Sequence, residues 1–343
     1  MNITSVYVAR LPEPGPLTFE TYDLREEATP ELDDREILIR VIYLSVDAGS
    51  RGMLDDRGAY VLKLKPGMQA IGTGAVGEVV ESRHPDFPIG SFAATIFARW
   101  GSHMKAAPDD PASPVFAVDP QVAPLDAHLG ALGLTGFTAY TGIFLNLPLA
   151  AGETAVISAA AGAVGAVAGQ YAKIRGARVI GIAGGSDKCE YVRSLGFDDC
   201  IDYRSDLEAG LRRACPDGID FYFENVGGDI QRLVLSMMRR YGRMSFCGQI
   251  AQYAGEGEPP GPNLMRVVLQ ELTLKGFLCM PTYTEKFGQF RAETMAWLKE
   301  GRVRHDSSVI YGLENAHEAV NALSAGRNVG KQLIQVAVDP TAQ

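Results

Sequence analysis

The chain has 343 residues, a formal net charge of -9, 46% hydrophobic residues and 21% charged residues. That length exceeds one ordinary core and implies two domains, and the negative balance argues against nucleic acid or an anionic membrane surface as main partner. Five cysteines without Cys-x-x-Cys spacing, and a start without a basic-then-apolar leader, set the expectation of reduced thiols in a cytoplasmic protein.

Residues 1–125 read as β-rich. ILIRVIYLSV (37–46) is a strand candidate, GTGAVGEVVES (72–82) a strand entered through glycines, and FPIGSFAATIF (87–97) a turn before a third strand. Residues 47–68 carry glycine and charge without period and are expected to form a long, functional loop. The proline-rich stretch 107–124 marks the exit from this unit, and LGALGLTGFTAYTGIF (129–144) reads as a helix.

Residues 154–184 organise the second half of the chain. Ala155 to Ile157 is a short buried strand, and Gly162-Ala163-Val164-Gly165 leads into apolar residues at Val164, Val167, Ala168 and Tyr171, which is helical spacing. A second strand runs from Val179 to Ala183. This βαβ unit sets a glycine turn where a dinucleotide pyrophosphate would meet a helix N-terminus, although Ala160 replaces the first glycine of G-x-G-x-x-G. The same residues, 155–172, are long and apolar enough to suggest a membrane helix, but their Gly and Ala content fits a strand and a tightly packed helix better. Strand candidates at 200–203, 218–227, 243–250 and 272–279 alternate with helices and imply a doubly wound parallel sheet. Helices are expected at 284–300 and 313–325. The final strand, 331–338, is assigned to neither sheet by periodicity alone.

A dinucleotide site reads the ribose at the tip of the second strand. That tip is Ala183-Gly184-Gly185-Ser186, without an acid, so NADPH is favoured over NADH. Lys188 and Tyr203 stand where a 2′-phosphate would be met; Lys188 reads equally as a solvated lysine beside Asp187. Later strand ends carry Asn225, Cys247-Gly248-Gln249 and Phe277-Leu278-Cys279. The histidines and cysteines show no metal-ligand spacing and no G-x-S-x-G elbow is present, so no metal site and no serine hydrolase is expected. A hydride reaction then needs a hydroxyl as electrophile.

AAAGAVG (159–165), GGSDK (184–188), FENVGGD (223–229), CGQIAQY (247–253), PPGP (259–262) and GRNVGK (326–331) occur in this order. Together, over nearly the whole chain, they resemble the zinc-independent medium-chain dehydrogenase/reductase superfamily, in its prostaglandin reductase, alkenal double-bond reductase and curcumin reductase branch. The resemblance implies an α/β protein: a Rossmann NADPH-binding domain at 128–308 and a β-rich GroES-like catalytic domain from 1–127 and 309–343. It implies a homodimer. It assigns Gly162, Ala163, Val164 and Gly165 to the pyrophosphate, Lys188 and Tyr203 to the 2′-phosphate end, and Gly184 to the cofactor site. Asn225, Cys247, Gly248, Gln249, Ile250, Tyr253, Phe277, Leu278, Cys279 and Asn328 would line the remaining cofactor, with Thr138 near the nicotinamide. The family usually reads D-P-Y-M-R-G at the start of the substrate loop. This chain reads Asp47-Ala48-Gly49-Ser50-Arg51-Gly52, which removes bulk and an aromatic wall from the expected pocket.

The resulting expectation is an NADPH-dependent reductase of α,β-unsaturated ketones or aldehydes. Hydride would go to the β-carbon, Tyr253 with a ribose hydroxyl would bond the carbonyl, and water or Tyr60 would supply the α-proton. Competing readings are an NADPH-dependent quinone reductase and a non-catalytic nicotinamide-binding redox sensor.

Overall fold

Two crossings of the chain separate two units, Met1–Leu134 with Asp306–Gln343, and Thr135–His305. The structure is a computed structural model that describes residues 2–55, 62–253, 261–280 and 282–342. In the first unit, β1 (Asn2–Val8) and β2 (Tyr22–Ala28) form an antiparallel ribbon. β3 (Ile37–Ser45) leads to a single helical turn, α1 (Gly49–Gly52), inside the stretch expected to be loop. Gly49 and Ser50 are buried there and Ala48 is partly buried, so two of the three small residues that depart from the family pattern at this point sit within the structure and not on its surface. Then come β4 (Ile71–Gly72), β5 (Ala75–Ser82), β6 (Phe92–Thr95), β7 (Ala98–Arg99), β8 (His103–Ala106) and β9 (Val115–Val118).

The helix expected over 129–144 is not continuous. A 3-10 turn at Leu125–His128 ends in glycine-rich chain, where a Cβ on Gly133 would lie 2.6 Å from the His128 carbonyl oxygen. Such close backbone approach breaks the helix, which restarts as α2 (Leu134–Tyr140) and widens into a π-helical turn over Thr141–Asn146.

The second unit is built on β10 (Thr154–Ile157), α3 (Ala163–Ile174), β11 (Arg178–Ala183), α4 (Ser186–Ser194), β12 (Asp199–Asp202), α5 (Leu207–Ala214), β13 (Ile219–Glu224), α6 (Gly228–Ser236), β14 (Met238–Phe246), α7 (Met265–Leu269), β15 (Thr273–Gly276) and α8 (Phe287–Lys299). Its six strands are all parallel, in the order β12-β11-β10-β13-β14-β15. Counted along the chain this is 3-2-1-4-5-6, the doubly wound order, with the reversal between β10 and β13. The core strands are buried on both faces, as parallel strands flanked by helices must be: Ala155, Val156, Ile157, Phe221, Tyr222 and Phe223 are all fully covered. The apolar run 155–172 is thus divided between a strand and a helix, and among the described residues no helix is long and apolar enough to cross a membrane.

β16 (Ser307–Tyr311), α9 (Ala316–Ser324) and β17 (Lys331–Gln335) return the chain to the first unit. β17 pairs antiparallel with β3 and parallel with β16, which completes a seven-stranded sheet ordered β16-β17-β3-β5-β6-β9, with β8 also on β3. The sheet's core gathers Ile37, Ile39, Val41, Leu44 and Trp100 with Val320 and Ile334 from the chain's end.

Candidate functional site

The carboxyl ends of β10 and β13 flank the reversal point, where open α/β sheets bind ligands. The two ends are tied together. The Asn225 N–H donates to the Ser158 hydroxyl oxygen at 2.8 Å, and the Asn225 side-chain amide donates to the Ser158 carbonyl at 2.8 Å. After Ser158 the chain enters the left-handed region at Ala159 (φ 49°) and turns into α3. Gly162 stands at the N-cap and offers no side-chain acceptor, which leaves first-turn N–H groups at Ala163, Val164 and Gly165 uncapped by their own helix. A Cβ on Gly165 would overlap the Ala159 carbonyl oxygen. Glycine is required here for the helix start to close on the strand end, and the turn fits an anionic group over the helix N-terminus.

The tip of β11 faces β12. The Tyr203 ring lies against Gly184, where a Cβ would come 2.8 Å from the ring and 2.9 Å from the hydroxyl. Asp202, the acid at the end of β12, is occupied by backbone: one carboxylate oxygen accepts the Gly185 N–H at 2.8 Å and the Arg204 N–H at 3.0 Å. Those bonds hold its carboxyl below the usual carboxylate range. Lys188 is half-buried in the first turns of α4; burial lowers its ammonium pKa and the nearby Arg204 charge lowers it further. Sequence reasoning missed Asp202 and Arg204, although both sit in the IDYR run at the third strand's end.

Past the reversal, Glu224 is a buried hub. One side-chain oxygen accepts the Val226 N–H at 2.6 Å, the Gly227 N–H at 3.0 Å and the Ser158 hydroxyl at 3.2 Å. Its backbone carbonyl accepts the Cys247 and Gly248 N–H groups at 2.9 and 3.1 Å. Burial pushes the carboxyl up, against the pull of the Val226 and Gly227 N–H groups. The loop after β14 is also tied to the Asn225 turn, with Ile250 N–H on the Asn225 carbonyl and Ala251 N–H on the Val226 carbonyl, both at 3.0 Å. At the end of this loop the Tyr253 hydroxyl accepts the Gln249 N–H at 3.4 Å and lies over Gly248, 2.9 Å from the position of a Cβ. Cys279 contacts Thr138 at 3.3 Å between sulfur and hydroxyl oxygen, so α2 and the chain after β15 meet at the residues expected near the nicotinamide. Phe277 lies over Gly142 of the π-helical turn, while Leu278 is exposed.

Asn328, in the first unit, is buried and donates its side-chain amide to the Gly330 carbonyl at 2.9 Å. Tyr60 lies outside the described residues. Also in the first unit, the Lys331 ammonium pairs with Asp47 and donates to the Val46 carbonyl at 2.8 Å, with Ser45 donating to Asp47 at 2.6 Å and Thr73 to the same oxygen. Burial alone would raise the Asp47 carboxyl, but the Lys331 charge and these hydroxyls hold it below its ordinary value. The motif GRNVGK contains Lys331, yet nothing in its spacing names Asp47 as the partner. Among the described residues, no group of three or more His, Cys, Asp or Glu side chains is gathered as metal ligands would be.

Residues 6–112 match the family model described as N-terminal domain of oxidoreductase, and residues 163–299 that described as zinc-binding dehydrogenase. The chain is 36% identical over 334 residues to the NADPH-dependent curcumin reductase of Escherichia coli (strain K12), covering 93% of each. It is 36% identical over 320 residues to prostaglandin reductase 1 of Oryctolagus cuniculus, covering 92% of this chain and 89% of that one. Among solved structures, CurA from Vibrio vulnificus in complex with NADPH matches with a TM-score of 0.88 and 32% identity, over 98% of this chain and 100% of that one.

Proposed function

This chain belongs to the medium-chain dehydrogenase/reductase superfamily, in its NADPH-dependent enone reductase branch, and from that premise we propose how its residues act. It is an oxidoreductase that uses NADPH to reduce the C=C bond of α,β-unsaturated ketones or aldehydes. The observation that supports the residue assignments most is the turn from Ser158 into α3. A glycine that tolerates no Cβ and a helix start without a side-chain cap suit a pyrophosphate. Bound NADPH supplies the hydride that adds to the substrate's β-carbon.

In this reading Gly162 to Gly165 hold the pyrophosphate, Gly184, Lys188 and Tyr203 the 2′-phosphate end, and Asn225, Cys247 to Ile250, Phe277 to Cys279 and Asn328 the rest of the cofactor, with Thr138 beside the nicotinamide. Hydride addition puts negative charge on the carbonyl oxygen. In this reading Tyr253, at the end of the loop after β14, donates its hydroxyl to it. No zinc takes part in this scheme; water or Tyr60 protonates the α-carbon. The protein acts in the cytoplasm as a homodimer. The dimer reading draws support from the outer strand β15 and from Leu264, Met265, Val268 and Leu269, which are all exposed beside it.

The test is NADPH oxidation by the purified protein with an alkenone, with a quinone and with neither, followed by identification of the product. Turnover of the alkenone to the saturated ketone is expected. Turnover with the quinone alone would replace this reading with a quinone reductase, and tight NADPH binding without turnover would replace it with a redox sensor.

A further inference from the structure

Arg204 follows Tyr203 directly and is exposed. Its guanidinium lies 5.9 Å from the Tyr203 ring centroid, and one terminal nitrogen comes 3.7 Å from where a Gly185 Cβ would stand. Its backbone is fixed through the Asp202 carboxylate, the same group that fixes Gly185. Asp202 thus fixes the backbone of Gly185 and Arg204, and Tyr203 and Arg204 both stand around the tip of β11. The guanidinium makes no hydrogen bond or ion pair among the described residues. Arg193, five residues past Lys188 on α4, is by contrast paired with Asp199 at 3.2 Å.

Arg204 also stands close enough to Lys188 for its charge to depress the Lys188 ammonium. Two cations brought this near repel; the Asp202 carboxylate offsets part of this at Arg204, and a ligand anion with several acceptor oxygens would favour the arrangement further. The one acid in the first turn of α4, Asp187, takes the hydroxyl of Ser186 at 3.0 Å. A guanidinium presents a planar fork that suits phosphate oxygens, whereas the lysine acts as a point charge.

We propose that Arg204 is a second cationic ligand of the cofactor's 2′-phosphate, acting with Lys188 and Tyr203, and that it sets the preference for NADPH over NADH. The proposal rests on the NADPH reading above and adds a residue to it.

The experiment measures equilibrium binding, by calorimetry or by quenching of protein fluorescence, of NADPH, NADH, 2′,5′-ADP and 5′-AMP to the wild type and to Arg204→Ala, Arg204→Lys and Lys188→Ala. Arg204→Ala should weaken NADPH and 2′,5′-ADP about tenfold, the loss expected for one charged hydrogen bond. NADH and 5′-AMP should stay within about twofold, which also reports that the fold is intact. Arg204→Lys should recover part of the loss. NADPH binding by the wild type should weaken more steeply with added salt than that of Arg204→Ala. A wild type that binds NADPH and NADH equally would remove the NADPH reading, and this proposal with it. A wild type that discriminates, with the same ratio in Arg204→Ala, would remove the proposal and leave the reading standing. Equal weakening of all four ligands would make Arg204 a structural residue and also overturn it.

Discussion

At the scale of single residues, two side chains carry separable predictions. Tyr253→Phe should lower kcat by about 10²–10³, the usual cost of losing one donor to a developing oxyanion, with NADPH affinity unchanged. The Tyr253 hydroxyl also accepts from Gln249, so steady-state kinetics must be set beside thermal denaturation. A drop in Tm with unchanged kcat would make it a loop strut. Glu224 is the opposite case, a buried carboxyl held by the Val226 and Gly227 N–H groups and the Ser158 hydroxyl. Glu224→Ala strips the Val226 and Gly227 N–H groups of their acceptor, at about 1–3 kcal/mol for each group left unsatisfied, and should loosen NADPH by freeing the Asn225 turn. Glu224→Gln retains an acceptor oxygen at the same place and should stay near wild type in both Tm and NADPH titration. A Glu224→Ala variant with wild-type Tm and NADPH affinity would show that the hub is dispensable. The motif FENVGG puts Glu224 in view, but its role depends on burial and on Ser158, 66 residues away, and neither is written in local spacing.

At the scale of elements, β17 is fixed to the end of β3 by the Lys331–Asp47 pair as well as by its ladder. Lys331→Met should cost about 3–5 kcal/mol at neutral pH, because removal of one partner leaves the other charge buried and uncompensated. The Lys331 charge and the hydroxyls hold the Asp47 carboxyl below its ordinary value in the folded protein. The pair's contribution is therefore present above the ordinary carboxylate range and is lost as pH falls through the lower folded value. In the variant, Asp47 loses its cation, its pKa rises, and protonation relieves the buried charge. The stability difference between variant and wild type, followed by urea unfolding at stepped pH, should narrow on acidification. A difference independent of pH would show that the pair is not ionic. Pairing of this kind marks the limit of what sequence conveys. Short apolar runs between helical periods and glycine turns revealed the doubly wound sheet. Periodicity could not say that β17 joins β3, whose sequence lies 284 residues earlier at this ion pair, because a strand's pattern carries no name for its neighbour. Residues 129–144 have the apolar count of a helix, and only the backbone contact at Gly133 shows why it is broken.

At the scale of the whole molecule, the proposed dimer is testable on the exposed apolar face of α7. Val268→Asp, at a position 68% exposed in the single chain, should shift sedimentation from dimer to monomer mass while each subunit keeps its NADPH affinity within about twofold. An unchanged dimer mass would move the contact elsewhere. The order of the seven-stranded sheet has a further consequence, for synthesis. Residues 307–311 and 331–335 supply β16 and β17, one side of a sheet whose other strands all precede residue 119. A nascent chain emerging from the ribosome holds that first sheet open along β3 while the uninterrupted segment Thr135–His305 emerges with every strand of its own sheet present. The second unit can thus finish folding before the first, and residues 307–335, translated after it, close the edge that residues 37–118 left bare.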